Sequence, residues 1–184
     1  MKLLGTKTLE TDRLILRKIN KDDIQNIYNN WTSDKLTCRY LSWDVHESVG
    51  DTEKVVLGWI RAYYENAFNW GVELKDSHEL IGNITVNAMN VKHGYAEIGY
   101  CYGSKFWGNG YATEALRKVL YYLLFDCDFR IIQLSHLSGN PASGRVMQKA
   151  GMVYDATLRK RRINKNTKEV NDVVIYSITK EDWK

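Results

Sequence analysis

Residues 96–115 read Ala96-Glu97-Ile98-Gly99-Tyr100-Cys101-Tyr102-Gly103-Ser104-Lys105-Phe106-Trp107-Gly108-Asn109-Gly110-Tyr111-Ala112-Thr113-Glu114-Ala115. The first half is β-prone, and the second opens a helix whose apolar face continues through Leu116, Val119, Leu120 and Leu123. Between them Gly108 and Gly110 let backbone amides approach a ligand closely, and the loop feeds a helix N-terminus with unpaired N–H groups. Such a nest suits a phosphate, although two glycines before a helix also make an ordinary tight turn. No Lys-Ser/Thr pair follows, which excludes a Walker A loop. The third glycine and early βαβ unit of a dinucleotide fingerprint are absent too.

Upstream, Thr11 to Ile19 reads as a strand, stopped at Asn20, an N-cap with Asp22 and Asp23 in the following turn. Ile24, Ile27, Tyr28 and Trp31 then make one apolar helix face, as do Val56, Trp59, Ile60 and Tyr63 in a second helix over about 51–66. The period changes at Asn69–Leu74, Glu79–Ala88 and Tyr95–Tyr102, three strands split by Lys75-Asp76-Ser77 and Lys92-His93-Gly94. Connections this short predict antiparallel pairing. Downstream, Arg130–Leu137 is a strand, and Asn140 and Pro141 suit the N-cap and N1 positions of a short helix ending near Gly151. Val153–Ile163 and Val170–Ile178 pair across Asn164-Lys165-Asn166-Thr167. The order βααβββαβαββ predicts an α/β (α+β) fold, a mixed, mostly antiparallel central sheet of about six or seven strands flanked by about four helices.

A chain of 184 residues, 44% hydrophobic and 26% charged, suits one domain over 1–184 and excludes disorder or coiled coil. Its net charge of +4 fits an anionic ligand but falls far short of a dedicated nucleic-acid binder, so no direct nucleic-acid contact is expected. Cys38, Cys101 and Cys127 form no metal or redox spacing, and reduced thiols, no metal and a cytoplasmic location are the expectation. No apolar leader or membrane-spanning stretch is visible, and no membrane association is expected.

Ala96 to Tyr100 with Phe106 to Ala115 resembles motif A of the GNAT N-acetyltransferase superfamily. Asn140-Pro141-Ala142-Ser143 and Lys149-Ala150-Gly151-Met152 resemble the motif that follows it, and Glu10-Thr11-Asp12-Arg13-Leu14 is similar to the family's first strand. The likeness spans the chain and is closest to the RimJ/RimL branch. It implies acetyl-CoA as donor, with the pyrophosphate on amides of Trp107, Gly108, Asn109, Gly110, Tyr111 and Ala112, together with Thr113. It also implies a V-shaped opening between the strand Ile98–Tyr102 and the strand Arg130–Leu137. There, amides of Tyr100, Cys101 and Tyr102 would polarise the thioester carbonyl, and Asn140 would hold the pantetheine arm. A homodimer is common among such relatives. The acceptor is an amine, by this branch the N-terminus of a protein or peptide. A small-molecule amine, a non-catalytic acyl-CoA-binding module and a small RNA-binding domain are the alternatives.

Two positions depart from the family pattern. Trp107 replaces the usual Gln or Arg, which matters little where backbone amides bind. Met147 stands where many members carry a proton-donating tyrosine. Ser143, one turn earlier, is the remaining candidate on that face, with Tyr154 a weaker one. Glu97 beside the donor strand is the candidate base for the amine, directly or through water, and Glu73 is a second. His136 reads as a packed strand residue and Cys101 as a small packing residue. Trp31, Tyr40, Trp43, Trp59, Tyr63 and Tyr64 read mostly as core, in a region that walls the acceptor pocket in this family. The run Arg159-Lys160-Arg161-Arg162, with Lys165 and Lys168, is a solvated hairpin face, or an attractor for an acidic protein surface or for the 3′-phosphate of CoA.

Overall fold

A computed structural model describes all residues, Met1–Lys184. One eight-stranded sheet organises it: β1 (Leu9–Glu10), β2 (Leu14–Arg17), β3 (Asn69–Leu74), β4 (Leu80–Asn90), β5 (Tyr95–Tyr102), β6 (Ile131–Leu137), β7 (Val153–Ile163) and β8 (Val170–Thr179). Their order across the sheet is β1-β2-β3-β4-β5-β6-β8-β7. Every neighbouring pair is antiparallel except β5 and β6, which are parallel. That exception is forced by the helical crossover between them, since parallel neighbours cannot be joined by a tight turn.

Five helices flank the sheet: α1 (Ile24–Ile27), α2 (Lys35–Cys38), α3 (Val49–Ala62), α4 (Tyr111–Tyr121) and α5 (Pro141–Lys149). Asn20 caps the turn before α1, and Ser48 caps α3, each in a reciprocal box with an Asp three residues on. α4 buries Ala115, Leu116, Val119 and Leu120 and continues through a π turn at Tyr122–Asp126. Asn140 caps α5, Pro141 occupies its first position, and Gly151 follows it at φ +95°.

Alternate residues of the strands feed two cores. The larger lies under α4 and α5 and takes Trp70, Val72, Ile84, Ala96, Ile98, Ile132, Leu134 and Ile178. The smaller lies under α1 and α3 and joins Ile19, Ile27, Trp31, Val56 and Leu80. The two lie on opposite faces of the sheet.

Two counts exceed the sequence expectation. Leu9–Glu10 forms its own rung with Ile15 and Leu16, so the first strand is a hairpin of two short ones; two residues are too few to show a period. Helix α2 is a single turn held by Asp34, whose side chain accepts from Leu36 N–H and Thr37 Oγ1. A four-residue helix carries no amphipathic signature either.

Candidate active site

β5 and β6 pair only through Tyr95, Ala96 and Glu97 with Ile131, Ile132 and Gln133. Beyond that last rung β5 stays with β4 up to Tyr102, while β6 stays with β8 up to Leu137. The strands therefore diverge, and a wedge opens through the middle of the sheet with Glu97 at its vertex. Gly103 N–H donates to the Ile81 carbonyl on β4 at 3.0 Å. Strand alternation then points the Cys101 amide at β4 and turns those of Tyr100 and Tyr102 into the wedge. Two of the three expected amides face the opening; Cys101 contributes its side chain to the other face, where Sγ lies 3.0 Å from Asn83 Oδ1. Burial pushes the Cys101 thiol up to about 12, an inert packing group rather than a nucleophile.

The loop leaving β5 reaches α4 through Gly108 and Gly110, both at φ +80°, a conformation that disfavours side chains. Gly110 caps α4 with no side-chain hydrogen bond, and the first helical bond runs from Glu114 N–H to the Gly110 carbonyl at 3.1 Å. Trp107 N–H donates to the Ser104 carbonyl at 3.2 Å, and its indole to the Tyr102 carbonyl at 2.7 Å. Trp107 thus fastens the loop to the end of β5. Amides from Gly108 through Asn109, Gly110, Tyr111 and Ala112 to Thr113 find no acceptor within the chain. The run of free donors begins one residue later than the sequence suggested.

The same loop is braced from outside. Asn109 Nδ2 donates to the Phe106 and Trp107 carbonyls at 3.2 Å each. Arg13 donates to the Asn109 carbonyl at 3.0 Å, stacks over the Tyr111 ring at 4.6 Å and pairs with Glu114 Oε2 at 2.6 Å. Glu114 Oε1 also accepts from Thr11 Oγ1 at 2.6 Å and from Arg13 N–H at 3.0 Å. Burial alone would raise the Glu114 carboxyl, but these hydrogen bonds outweigh it and hold it below its ordinary value.

On the opposite arm of the wedge, Ser143 sits in the first turn of α5 with Oγ 2.8 Å from Tyr100 Oη, and Oη is 2.9 Å from the Ser143 carbonyl. A carbonyl only accepts, so Tyr100 donates to it and its oxygen takes the Ser143 hydroxyl proton. Burial pushes the Tyr100 phenol above its usual range, with the Ser143 contact pulling the other way, so it stays protonated. Asn140 Oδ1 accepts from Ser143 N–H at 3.4 Å; capping occupies that oxygen and leaves its amide NH2 for a ligand. His136 Nδ1 bonds the Leu137 carbonyl at 2.8 Å, and the ring stacks on Tyr176. A Cβ at Gly144 would come within 2.6 Å of His136 Nε2, so the imidazole packs directly against α5.

The remaining candidates separate. Met147 is 1% exposed and belongs to the larger core. Tyr154 is half exposed on β7, bonds Thr157 Oγ1 at 3.0 Å and sets its ring edge-on to Tyr176. Both oxygens of Glu73 are engaged, one by Arg17 Nε at 2.5 Å and the other by His78 Nδ1 at 2.9 Å, so it is not free to act as a base. Glu97 is half-buried at the vertex beside Tyr95, whose phenol is raised by burial and by that carboxylate. Of the aromatics, Trp31 is core, Tyr63 ties Ile19 N–H to the Asn69 carbonyl, Tyr64 is 89% exposed, and Tyr40 lies against Gly139 beside the wedge. Tyr100 as Ser143's partner and Arg13 as the loop's brace were not visible in the sequence, because each contact joins residues more than forty apart.

Comparison with known proteins gives the family. The family model "Acetyltransferase (GNAT) domain" matches residues 13–153. The uncharacterized N-acetyltransferase YoaA of Bacillus subtilis is 35% identical over 94% of this chain and 96% of its own. The ribosomal-protein-serine acetyltransferase of Escherichia coli is 24% identical over 84% of this chain and 87% of its own. A solved GNAT-family acetyltransferase from Bacillus anthracis superposes with a TM-score of 0.84 at 27% identity, over 95% of this chain and 99% of that one. The family model spans most of the chain, and the chain belongs to the GNAT family of acetyl-CoA-dependent N-acetyltransferases.

Proposed function

We propose that the protein transfers an acetyl group to the N-terminal amine of a protein or peptide, directly, within a ternary complex. The observation that carries this reading is the run of six unaccepted amides, 108–113, at the mouth of a wedge whose far side holds a hydroxyl pair. The residues fit acetyl-CoA on their own chemistry. A pyrophosphate meets free donors and the positive end of α4. A pantetheine arm would meet the unpaired edge of β5 and the Asn140 amide. When bound, the donor supplies an activated thioester.

The chain's own groups then divide the proton traffic. Tyr100 and Tyr102 N–H groups face the wedge and suit an oxyanion-type role. Glu97 lies on the α1 and α3 face, by alternation with Cys101, and takes the amine proton directly or through water. Ser143 and Tyr100 lie on the α5 face and deliver a proton to the departing sulfur. Removal and delivery are thereby kept on opposite sides of the sheet. The peptide acceptor is favoured by the likeness to a ribosomal-protein-serine acetyltransferase. A screen of peptide N-termini, polyamines and aminoglycosides, read by CoA release, tests it: turnover confined to small amines would overturn the peptide reading. Ping-pong kinetics would remove direct transfer.

A further inference from the structure

The basic run on the last hairpin has no part in donor binding as described. Between Arg159 and Asp172 the chain carries six basic and two acidic residues, a net +4. That equals the net charge of the whole protein, so the other 170 residues balance at twenty basic and twenty acidic. All the excess charge sits on one arm. Arg159, Lys160, Arg161, Arg162 and Lys168 are exposed and have no carboxylate partner; only Lys165 is paired, with Asp44 at 2.6 Å. Of the arm's two acids, Asp172 accepts from Lys160 N–H and Glu169 from Thr167 Oγ1, so neither neutralises a side chain.

The arm is also fixed beside the catalytic wedge. Asn164 Nδ2 donates to the Arg39 carbonyl at 3.0 Å, and Asn166 Nδ2 contacts the Cys38, Leu41 and Trp43 carbonyls at 2.8, 3.3 and 3.3 Å. At its base, Asn171 Oδ1 accepts from Gly139 N–H at 3.2 Å, one residue before Asn140. β7 is the sheet edge, so one row of its ladder groups is unpaired. Ile163 and Val170 stand opposite each other at the tip, each more than half exposed.

From this the structure assigns the β7–β8 arm as a docking surface for an acidic polypeptide segment that follows the acceptor's N-terminal amine. The assignment rests on the N-acetyltransferase reading above and names the class of acceptor. A second copy of the chain is a poor occupant, because it would bring another +4 to the same edge. The Lys160 backbone at φ +49° and the register shift between Leu158 and Arg162 interrupt regular edge pairing as well. A polypeptide is favoured over RNA because the exposed side chains among the charges are aliphatic, whereas single-stranded nucleic acid is held by aromatic stacking.

The test is fluorescence anisotropy with three labelled peptides identical except for a run of Glu, Gln or Lys after the third residue. The Glu peptide is expected to bind about tenfold more tightly than the Gln peptide at low salt, with the gap closing as salt approaches about 0.5 M. The triple variant Arg159→Gln, Arg161→Gln, Arg162→Gln should lose the gap while its calorimetric CoA affinity stays within about twofold of wild type, which shows that it folds. Equal affinity for the Glu and Gln peptides overturns the assignment, as does a gap that survives the triple variant or an RNA oligomer that outcompetes the Glu peptide. Absence of CoA binding by the wild-type protein would instead sink the acetyl-donor reading.

Discussion

On the proposed mechanism Ser143 protonates a thiolate, for which a serine hydroxyl alone is a very weak acid, and the adjoining Tyr100 phenol is the second proton it would draw on. Tyr100 Oη accepts the Ser143 proton and holds a phenolic proton of its own on the Ser143 carbonyl. A single rotation of that phenol would hand its proton to Ser143 as Ser143 gives up the first, leaving a tyrosinate that regains a proton from solvent. Ser143→Ala should lower kcat by about tenfold to a hundredfold with CoA affinity unchanged. Tyr100→Phe should lower it less, because Ser143 keeps its hydroxyl and loses only the neighbour that supplies a second proton. Stopped turnover and calorimetric CoA binding read the two effects separately; wild-type turnover in Ser143→Ala would remove it from this role. The same pair shows the reach of a sequence reading. Ser143 is reached from the family likeness at position 147 together with its place on the same helix face. Its partner lies 43 residues earlier on another strand, and no periodicity connects the two.

Among the elements, the β1–β2 hairpin acts well beyond its size. Thr11 and Arg13 hold Glu114, and Arg13 holds the Asn109 carbonyl, so a turn near the N-terminus fixes the loop that opens α4. Arg13→Ala leaves the Glu114 carboxylate unneutralised next to an anion site and frees the loop. CoA affinity measured by calorimetry should fall about fivefold to twentyfold, and the second substitution Glu114→Gln should restore part of it. No recovery in the double variant would leave loop order, not charge, as the cause. Elements with a strong period or cap were legible: β3, β5, β7 and α5 match their sequence readings within a residue at each end. What escaped was short or long-range. Two-residue β1 and four-residue α2 exist only because Leu16 and Asp34 hold them. The wedge itself was expected through family likeness; composition and spacing alone contained no sign of it.

Over the whole molecule, acid is the weak direction. Asp34 and Glu114 are partly buried carboxylates kept below their ordinary values because hydrogen bonds from Thr37, Ser104, Thr11 and Arg13 outweigh burial, and exposed Asp128 and half-buried Asp182 are lowered by their own partners. A depressed native pKa contributes stability that is complete above the unfolded value and is lost as pH falls through the native one. The thermal midpoint should therefore be flat near neutrality and decline steadily below about pH 4.5, with a shallower decline in Glu114→Gln. A midpoint insensitive to pH across that range would contradict these assignments. No helix is long and apolar enough to cross a membrane. The clasp between Asn166 and the carbonyls of Cys38, Leu41 and Trp43 joins positions more than 120 residues apart. During synthesis every residue of the glycine loop and its brace has been added by the end of α4, but the partner of the 38–43 segment comes only near the last turn of the chain. A growing chain thus carries every residue of the glycine loop and its brace long before it carries the hairpin, and only a nearly finished molecule holds both.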